Sequence, residues 1–122
     1  MKLIDSTVAV DYLRGHEPAA RVIEDAAGWV AASEMTRFEL IAGIRADEEE
    51  RIERFFSGLG WVPVEEAIAR RAGELARRYR ASHAGIDDSD YLIAATALEL
   101  GAELVTTNVR HFPMLAGLEP AY

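Results

Sequence analysis

Cysteine is absent from this chain, which excludes disulfides, a thiolate nucleophile and Cys-ligated zinc, and is compatible with a reducing compartment. Long apolar runs are missing too. Met1-Lys2-Leu3-Ile4 meets Asp5 before a signal-type apolar core can form, and no later stretch approaches the roughly 18 apolar residues of a membrane span. The expected setting is the cytoplasm, with no membrane partner. Basic residues are outnumbered, 13 Lys and Arg against 21 Asp and Glu, for a net charge of −8. That balance argues against a protein that coats nucleic acid or anionic lipid through bulk charge. Neither a Gly-x-Ser-x-Gly turn nor a Gly-x-x-x-x-Gly-Lys phosphate loop is present. Repeats, linkers and low-complexity segments are also lacking.

What remains is 122 residues, half of them apolar, enough for one buried core and one domain spanning residues 1–122. Short apolar runs alternate with helical patterns. Lys2 to Asp5 reads as a strand, followed by a helix through Val8, Tyr12 and Leu13 to Gly15. A second helix after Pro18 carries Ala19, Val22, Ile23 and Ala26, with Gly28 closing it. Trp29 to Ala32 is the next strand. Ser33 then caps a partly buried helix bearing Met35, Phe38, Leu40 and Ile41. The acidic stretch Asp47 to Glu53 reads as a solvated helix face, with Ile52, Phe55 and Phe56 inward. Trp61 to Val64 is a third strand, and Glu65 to Ser82 a long helix burying Ile68, Ala72, Leu75 and Tyr79. Asp87 or Asp88 caps a helix ending at Gly101, Glu103 to Thr107 is a strand, and a last short strand is expected near Leu118 to Tyr122.

Strands alternating with helices predict an α/β domain with an open, mostly parallel sheet and helices on both faces. In such a sheet, strand carboxyl ends and the N-termini of the following helices share one edge, where ligands bind. Asp5 and Asn108 fall at strand ends, Ser33 follows another strand, Glu39 lies in the early turns of a helix and Asp90 in the first turn of another. Three carboxylates gathered from distant segments repel one another, so the edge calls for something positive. A hard divalent cation such as Mg²⁺ or Mn²⁺ suits oxygen ligands and phosphate chemistry, which points to metal-dependent phosphoester hydrolysis. Asn108 offers a contact without adding charge.

Plainer readings stand beside these. Asp5 also reads as a helix cap, Asp87 and Asp90 as a capping pair, Asp87 and Asp88 as caps, and Glu39 as a surface helix residue. Ser6 and Thr7 begin a helix, where a hydroxyl could orient Asp5. Thr106 reads as a strand residue, while Thr107 could turn its hydroxyl toward the site. His16 and His83 read as loop residues, and His111 as peripheral or structural. On the long helix, Arg70 and Arg77 are seven apart, as are Arg71 and Arg78, forming a stripe away from the apolar face. It is either a solvated face supported by Glu66–Arg70 and Glu74–Arg78 pairs or a surface for RNA phosphates.

The segments KLIDSTVAVDYLRG, SEMTRFELIAGI, DYLIAATALELGAELVTTNVRHF and LEPAY, in this order, resemble the PIN-domain toxins of VapBC toxin–antitoxin systems over essentially the whole chain. The resemblance implies a Rossmann-like three-layer PIN fold and an Mg²⁺- or Mn²⁺-dependent endoribonuclease that cuts tRNA or rRNA and halts translation. It implies a VapB-like antitoxin partner and a homodimer. Carried over residue by residue, it makes Asp5, Glu39 and Asp90 the acidic site. Asp5 and Asp90 bind the ion, Glu39 ligates it or positions the attacking water, and Asn108 completes the pocket with Thr7 in support. Where many PIN domains carry a fourth acid, this chain has Asn108, with His111 three further on. Two other readings compete: a catalytically weak PIN-like binding module acting in regulation, and an aspartyl-nucleophile phosphatase. The latter would want an acid two residues after Asp5, where Thr7 stands.

Overall fold

Each strand of this protein is only three or four residues long, yet the sheet they build has both faces covered. The computed structural model describes residues 1–26 and 29–122. Strands β1 (Lys2–Ile4), β2 (Val30–Ser33), β3 (Gly60–Val62) and β4 (Glu103–Val105) lie in the order β3-β2-β1-β4, and every pairing among the described residues is parallel. Register sets Leu3 beside Ala31 and Leu104, with Ile4 beside Val105. Because side chains alternate along a strand, these two rows point to opposite faces. Ile4, Ala32 and Val105 pack with Val8, Leu40, Ile52 and Phe56, whereas Leu3, Ala31 and Leu104 pack with Ile93, Ala94, Ala97 and Phe112.

The first layer holds α1 (Ser6–Leu13), α2 (Glu17–Glu24), α3 (Glu34–Gly43) and α4 (Glu49–Ser57); the second holds α5 (Glu66–Tyr79) and α6 (Asp88–Leu100). This is the three-layer α/β arrangement expected from the alternating pattern. Burial of large side chains such as Leu3, Ile4, Ile93 and Phe112 contributes about 1.5–3 kcal/mol each. The α3 helix is also held by the Arg37 guanidinium, stacked 3.8 Å from the centre of the Trp61 ring. Helix α6 stops at Gly101, whose φ of 60° is a left-handed conformation open to glycine.

Several boundaries differ from the sequence reading. The third strand ends at Val62 because Pro63 has no N–H to extend the ladder. Helix α2 ends at Glu24, leaving Ala26 beyond it, and the expected cap at Gly28 lies outside the described residues. On α3, Leu40 is buried but Phe38 and Ile41 are exposed. No strand forms at Leu118 to Tyr122. That segment is tied to the sheet by the Ala121 N–H donating to the Thr106 carbonyl at 2.9 Å, and Pro120 cannot supply a second rung. Among the described residues, no helix is long and apolar enough to cross a membrane.

Candidate active site

Asp5 leaves β1 and immediately caps α1, so its carboxylate sits where the sheet's carboxyl edge meets the positive end of a helix. It is 3% exposed, and both oxygens are held. Oδ1 accepts the Ser6 N–H at 2.8 Å, while Oδ2 accepts the Thr106 hydroxyl at 2.7 Å and the Thr7 hydroxyl at 3.2 Å. Thr7, in the first turn of α1, is thus in contact with the Asp5 carboxylate. Thr106, read from sequence as a strand residue, lies just beyond β4, is fully buried, and joins two candidate residues: its oxygen also accepts the Asn108 N–H at 3.0 Å. Thr107 contributes its N–H to the Thr7 hydroxyl at 3.3 Å and is exposed. Thr106→Val keeps shape but strips a donor from buried Asp5 and an acceptor from Asn108. The expected costs are about 1–3 kcal/mol of stability and roughly 10- to 100-fold in activity, read from denaturant unfolding and cleavage rates. A neutral outcome in both would remove Thr106 from the site.

Glu39 comes from α3 and Asp90 from the first turn of α6. Glu39 Oε2 accepts the Ser89 hydroxyl at 3.3 Å, whereas Oε1 is buried with no hydrogen-bond partner. Burial pushes the Glu39 carboxyl above its ordinary range, and the charges of Asp5 and Asp90 push it further, against the opposing pull of the Ser89 and Ser6 hydroxyls. Asp90 is raised as well, first by burial and also by Asp5, against the opposing pull of the Asp87 N–H and His111. Asp90 Oδ2 accepts that N–H at 3.1 Å and lies 2.9 Å from His111 Nδ1. Asp87 therefore acts as a cap, in a reciprocal capping box with Asp90. Asp88 is a surface residue paired with Arg80 at 2.6 Å. The sequence reading missed Ser89 and Thr106, whose only signal was a hydroxyl beside a site acid or a strand end.

The three acids thus converge from three separate elements, and the charge of Asp5 disfavours the ionised forms of Glu39 and Asp90. Among the described residues, no three His, Asp or Glu side chains are drawn in tightly enough to enclose an ion unaided. The donor set fits a cation that keeps part of its water shell and needs only one or two protein carboxylates, and the orphaned Glu39 Oε1 is an acceptor for such a shell. Asp5, Asp90 and Glu39 are the residues that could hold it.

The arginines divide. Arg71 pairs with Glu99 at 3.0 Å and Arg80 with Asp88 at 2.6 Å, which sets α5 antiparallel to α6 and brings the end of α5 beside the start of α6. Arg77 and Arg78 therefore lie toward the end that carries Asp90, exposed. Arg70 and Arg71 lie about 10 Å back along the helix, with Arg70 held by Glu66 at 2.8 Å. The Glu74–Arg78 pair anticipated from the spacing is not among the ion pairs formed. A groove of about 810 Å³ runs beside β4, lined by Lys2, Leu104 and Leu118 among others, and takes in none of the three acids. A shallower hollow of about 360 Å³ borders the site at Ser6, Thr7 and Thr107.

An acid-lined carboxyl edge on a parallel three-layer domain is the layout of PIN domains, and the PIN domain family model matches residues 2–118. The chain belongs to the PIN-domain family, in its VapC branch. It is similar to Ribonuclease VapC19 of Mycobacterium tuberculosis, 59% identical over 126 residues spanning the whole of both chains. Ribonuclease VapC10 of the same organism is 43% identical over 124 residues, covering 100% of this chain and 93% of the relative. Among solved structures, a toxin–antitoxin complex from Klebsiella pneumoniae superposes with a TM-score of 0.87 at 25% identity, covering 100% of this chain and 98% of the other.

Proposed function

We propose that this chain is the toxin of a type II toxin–antitoxin pair, a divalent-metal-dependent endoribonuclease that works in the cytoplasm as a single domain over residues 1–122. Its substrate is tRNA or rRNA, and cleavage halts translation. The observation that carries this reading is the trio Asp5, Glu39 and Asp90, with Asp5 and Asp90 buried, Glu39 half-buried with its Oε1 unpaired, and both Glu39 and Asp90 raised in pKa. The ribonuclease names of its relatives and the solved toxin–antitoxin complex support the substrate class and a VapB-like antitoxin partner. A homodimer is part of the same reading, and light scattering on the isolated chain tests it.

Asp5 and Asp90 would hold Mg²⁺ or Mn²⁺, which when bound polarises the phosphodiester and makes a bound water more acidic. The chain's own residues do the rest. Thr106 and Thr7 fix Asp5 through its Oδ2. Glu39 Oε1, lacking a donor, accepts a proton from the attacking water as the water oxygen bonds to phosphorus and the opposite ester P–O bond breaks, the departing oxygen taking a proton from solvent; a carboxyl raised above its ordinary range is the stronger base for this role. Asn108 completes the pocket beside the substrate without a fourth negative charge. RNA 5′-end mapping after induction tests the proposal. New ends in tRNA or rRNA are expected with the parental chain and not with Asp5→Asn; no new ends with either would favour the non-catalytic binding module, and the same new ends with both would remove Asp5 from the catalytic site.

Arg77 and Arg78 are assigned to the RNA backbone, since their charges are free of ion pairs among the described residues and lie toward the site. Reversing both to Glu should weaken RNA affinity and lower its salt slope by about two. Reversing Arg70 and Arg71, already matched by Glu66 and Glu99, should do less. Equal effects in a salt titration would refute the division.

A further inference from the structure

His111 closes the short 3-10 turn Val109–His111 that follows β4, and its imidazole reaches back to α6. Its neighbour Phe112 is 1% exposed and packs in the core, whereas the His111 side chain is 33% exposed. The anchoring of this turn thus falls to Phe112, and the polar contact made by His111 is its distinctive feature. That contact lies 2.9 Å from Asp90 Oδ2, the same oxygen that accepts the Asp87 N–H at 3.1 Å. Both donors converge on Oδ2, so Oδ1 is left without a protein donor among the described residues. The terminal torsion of an aspartate is broad and roughly two-fold. A cap hydrogen bond from the residue's own helix start restrains it, and a second donor from a different element restrains it further.

We infer that His111 is a positioning residue for Asp90: its Nδ1–H pins Oδ2 and keeps Oδ1 available to a cation shared with Asp5. This inference rests on the reading of the three acids as a metal centre. It needs only a hydrogen on Nδ1, present in the charged ring and in the Nδ1–H tautomer of the neutral one, the tautomer that a carboxylate acceptor at 2.9 Å favours. Outer partners of this kind typically alter metal affinity or activity by roughly 10- to 100-fold. The turn that carries His111 also contains the backbone of Asn108, so the residue standing beside the uncharged position supplies order to the site rather than charge.

The test measures Mn²⁺ binding by titration calorimetry, metal-free thermal unfolding, and cleavage against Mn²⁺ concentration for the parent, His111→Ala, His111→Asn, His111→Gln and Asp90→Asn. Asp90→Asn should lose Mn²⁺ binding. His111→Ala should bind Mn²⁺ about 10-fold more weakly, with the metal-free Tm nearly unchanged and cleavage largely recovered at saturating Mn²⁺. His111→Asn should restore affinity, because its amide nitrogen reaches the Nδ1 position; Gln, one methylene longer, should not. Parental affinity in His111→Ala alongside loss in Asp90→Asn overturns the positioning role and leaves the metal reading standing. Parental affinity in Asp90→Asn overturns the metal reading itself. Should His111→Ala lower the metal-free Tm, the Asn and Gln variants decide, and equal affinities in those two overturn the inference.

Discussion

Asp5→Asn is expected to reduce RNA cleavage by more than the roughly 100-fold that loss of an outer-shell partner costs, while leaving the metal-free protein at least as stable as the parent. The two effects have separate causes. Asn keeps an oxygen for the Ser6 N–H and so keeps the cap on α1. Its amide nitrogen then faces the Thr7 and Thr106 hydroxyls, which can accept as well as donate. What disappears is one of the three negative charges, and with it part of the repulsion that raises Glu39 and Asp90. Each 1 kcal/mol relieved corresponds to about 4 °C in Tm. Asp5→Ala is the poorer probe, because it also removes the cap, at about 1 kcal/mol. Cleavage by Asp5→Asn at the parental rate would show that the acid is structural only.

The second large effect is thermal. An ion that binds only the folded chain contributes about 2.7 kcal/mol at 100 times its Kd, so saturating Mg²⁺ or Mn²⁺ should raise Tm by on the order of 10 °C. EDTA should reverse that shift and abolish cleavage. Without the ion, pH should act in the direction opposite to ordinary acid denaturation over part of its range. Glu39 and Asp90 are raised in the folded chain, chiefly by burial, so the folded state holds their protons more tightly than the unfolded state does. Their contribution to stability is fully present below the unfolded carboxylate range and is lost as pH rises through the folded values. Lowering the pH from neutrality toward the unfolded carboxylate range of about 4 should therefore raise the metal-free Tm as these two carboxyls take up their protons. Saturating metal, which favours the ionised forms, should flatten that rise, and Glu39→Gln should remove its share. A metal-free Tm that falls over this interval, together with no response to Mg²⁺ or Mn²⁺, would separate these carboxylates from any ion site.

Asp5 and Asp90 were legible in the sequence because each stands at a junction with strong local grammar: an apolar triplet before Asp5, and a capping pattern around Asp90. The same grammar explains what was missed. Thr106 continues a β-branched run, and nothing local distinguishes a threonine that packs in a sheet from one that steps past the last rung and turns its hydroxyl to Asp5. Ser89 sits on a helix start where hydroxyls are common, and its contact with Glu39 crosses 50 positions. The arginine spacing correctly gave a common face, but a helical face carries no information about which end approaches the site. The ion pairs of Arg71 and Arg80 to α6 supply it. Phe38 and Ile41 show the limit of periodicity in the other direction, since an apolar stripe on α3 is wider than the core it meets.

The bond between Thr106 and Asp5 spans 101 positions, and β1 pairs with β4 across a similar separation. During synthesis at about 5–20 residues per second, the first acid of the site exists for many seconds before the strand and hydroxyl that fix it have been made. No amino-terminal fragment ending before β4 can present the assembled edge. For a chain whose finished form is proposed to attack the RNA that makes it, the topology delays completion of the site until β4 has been made, after the segment carrying α1 to α4 has become available to a partner.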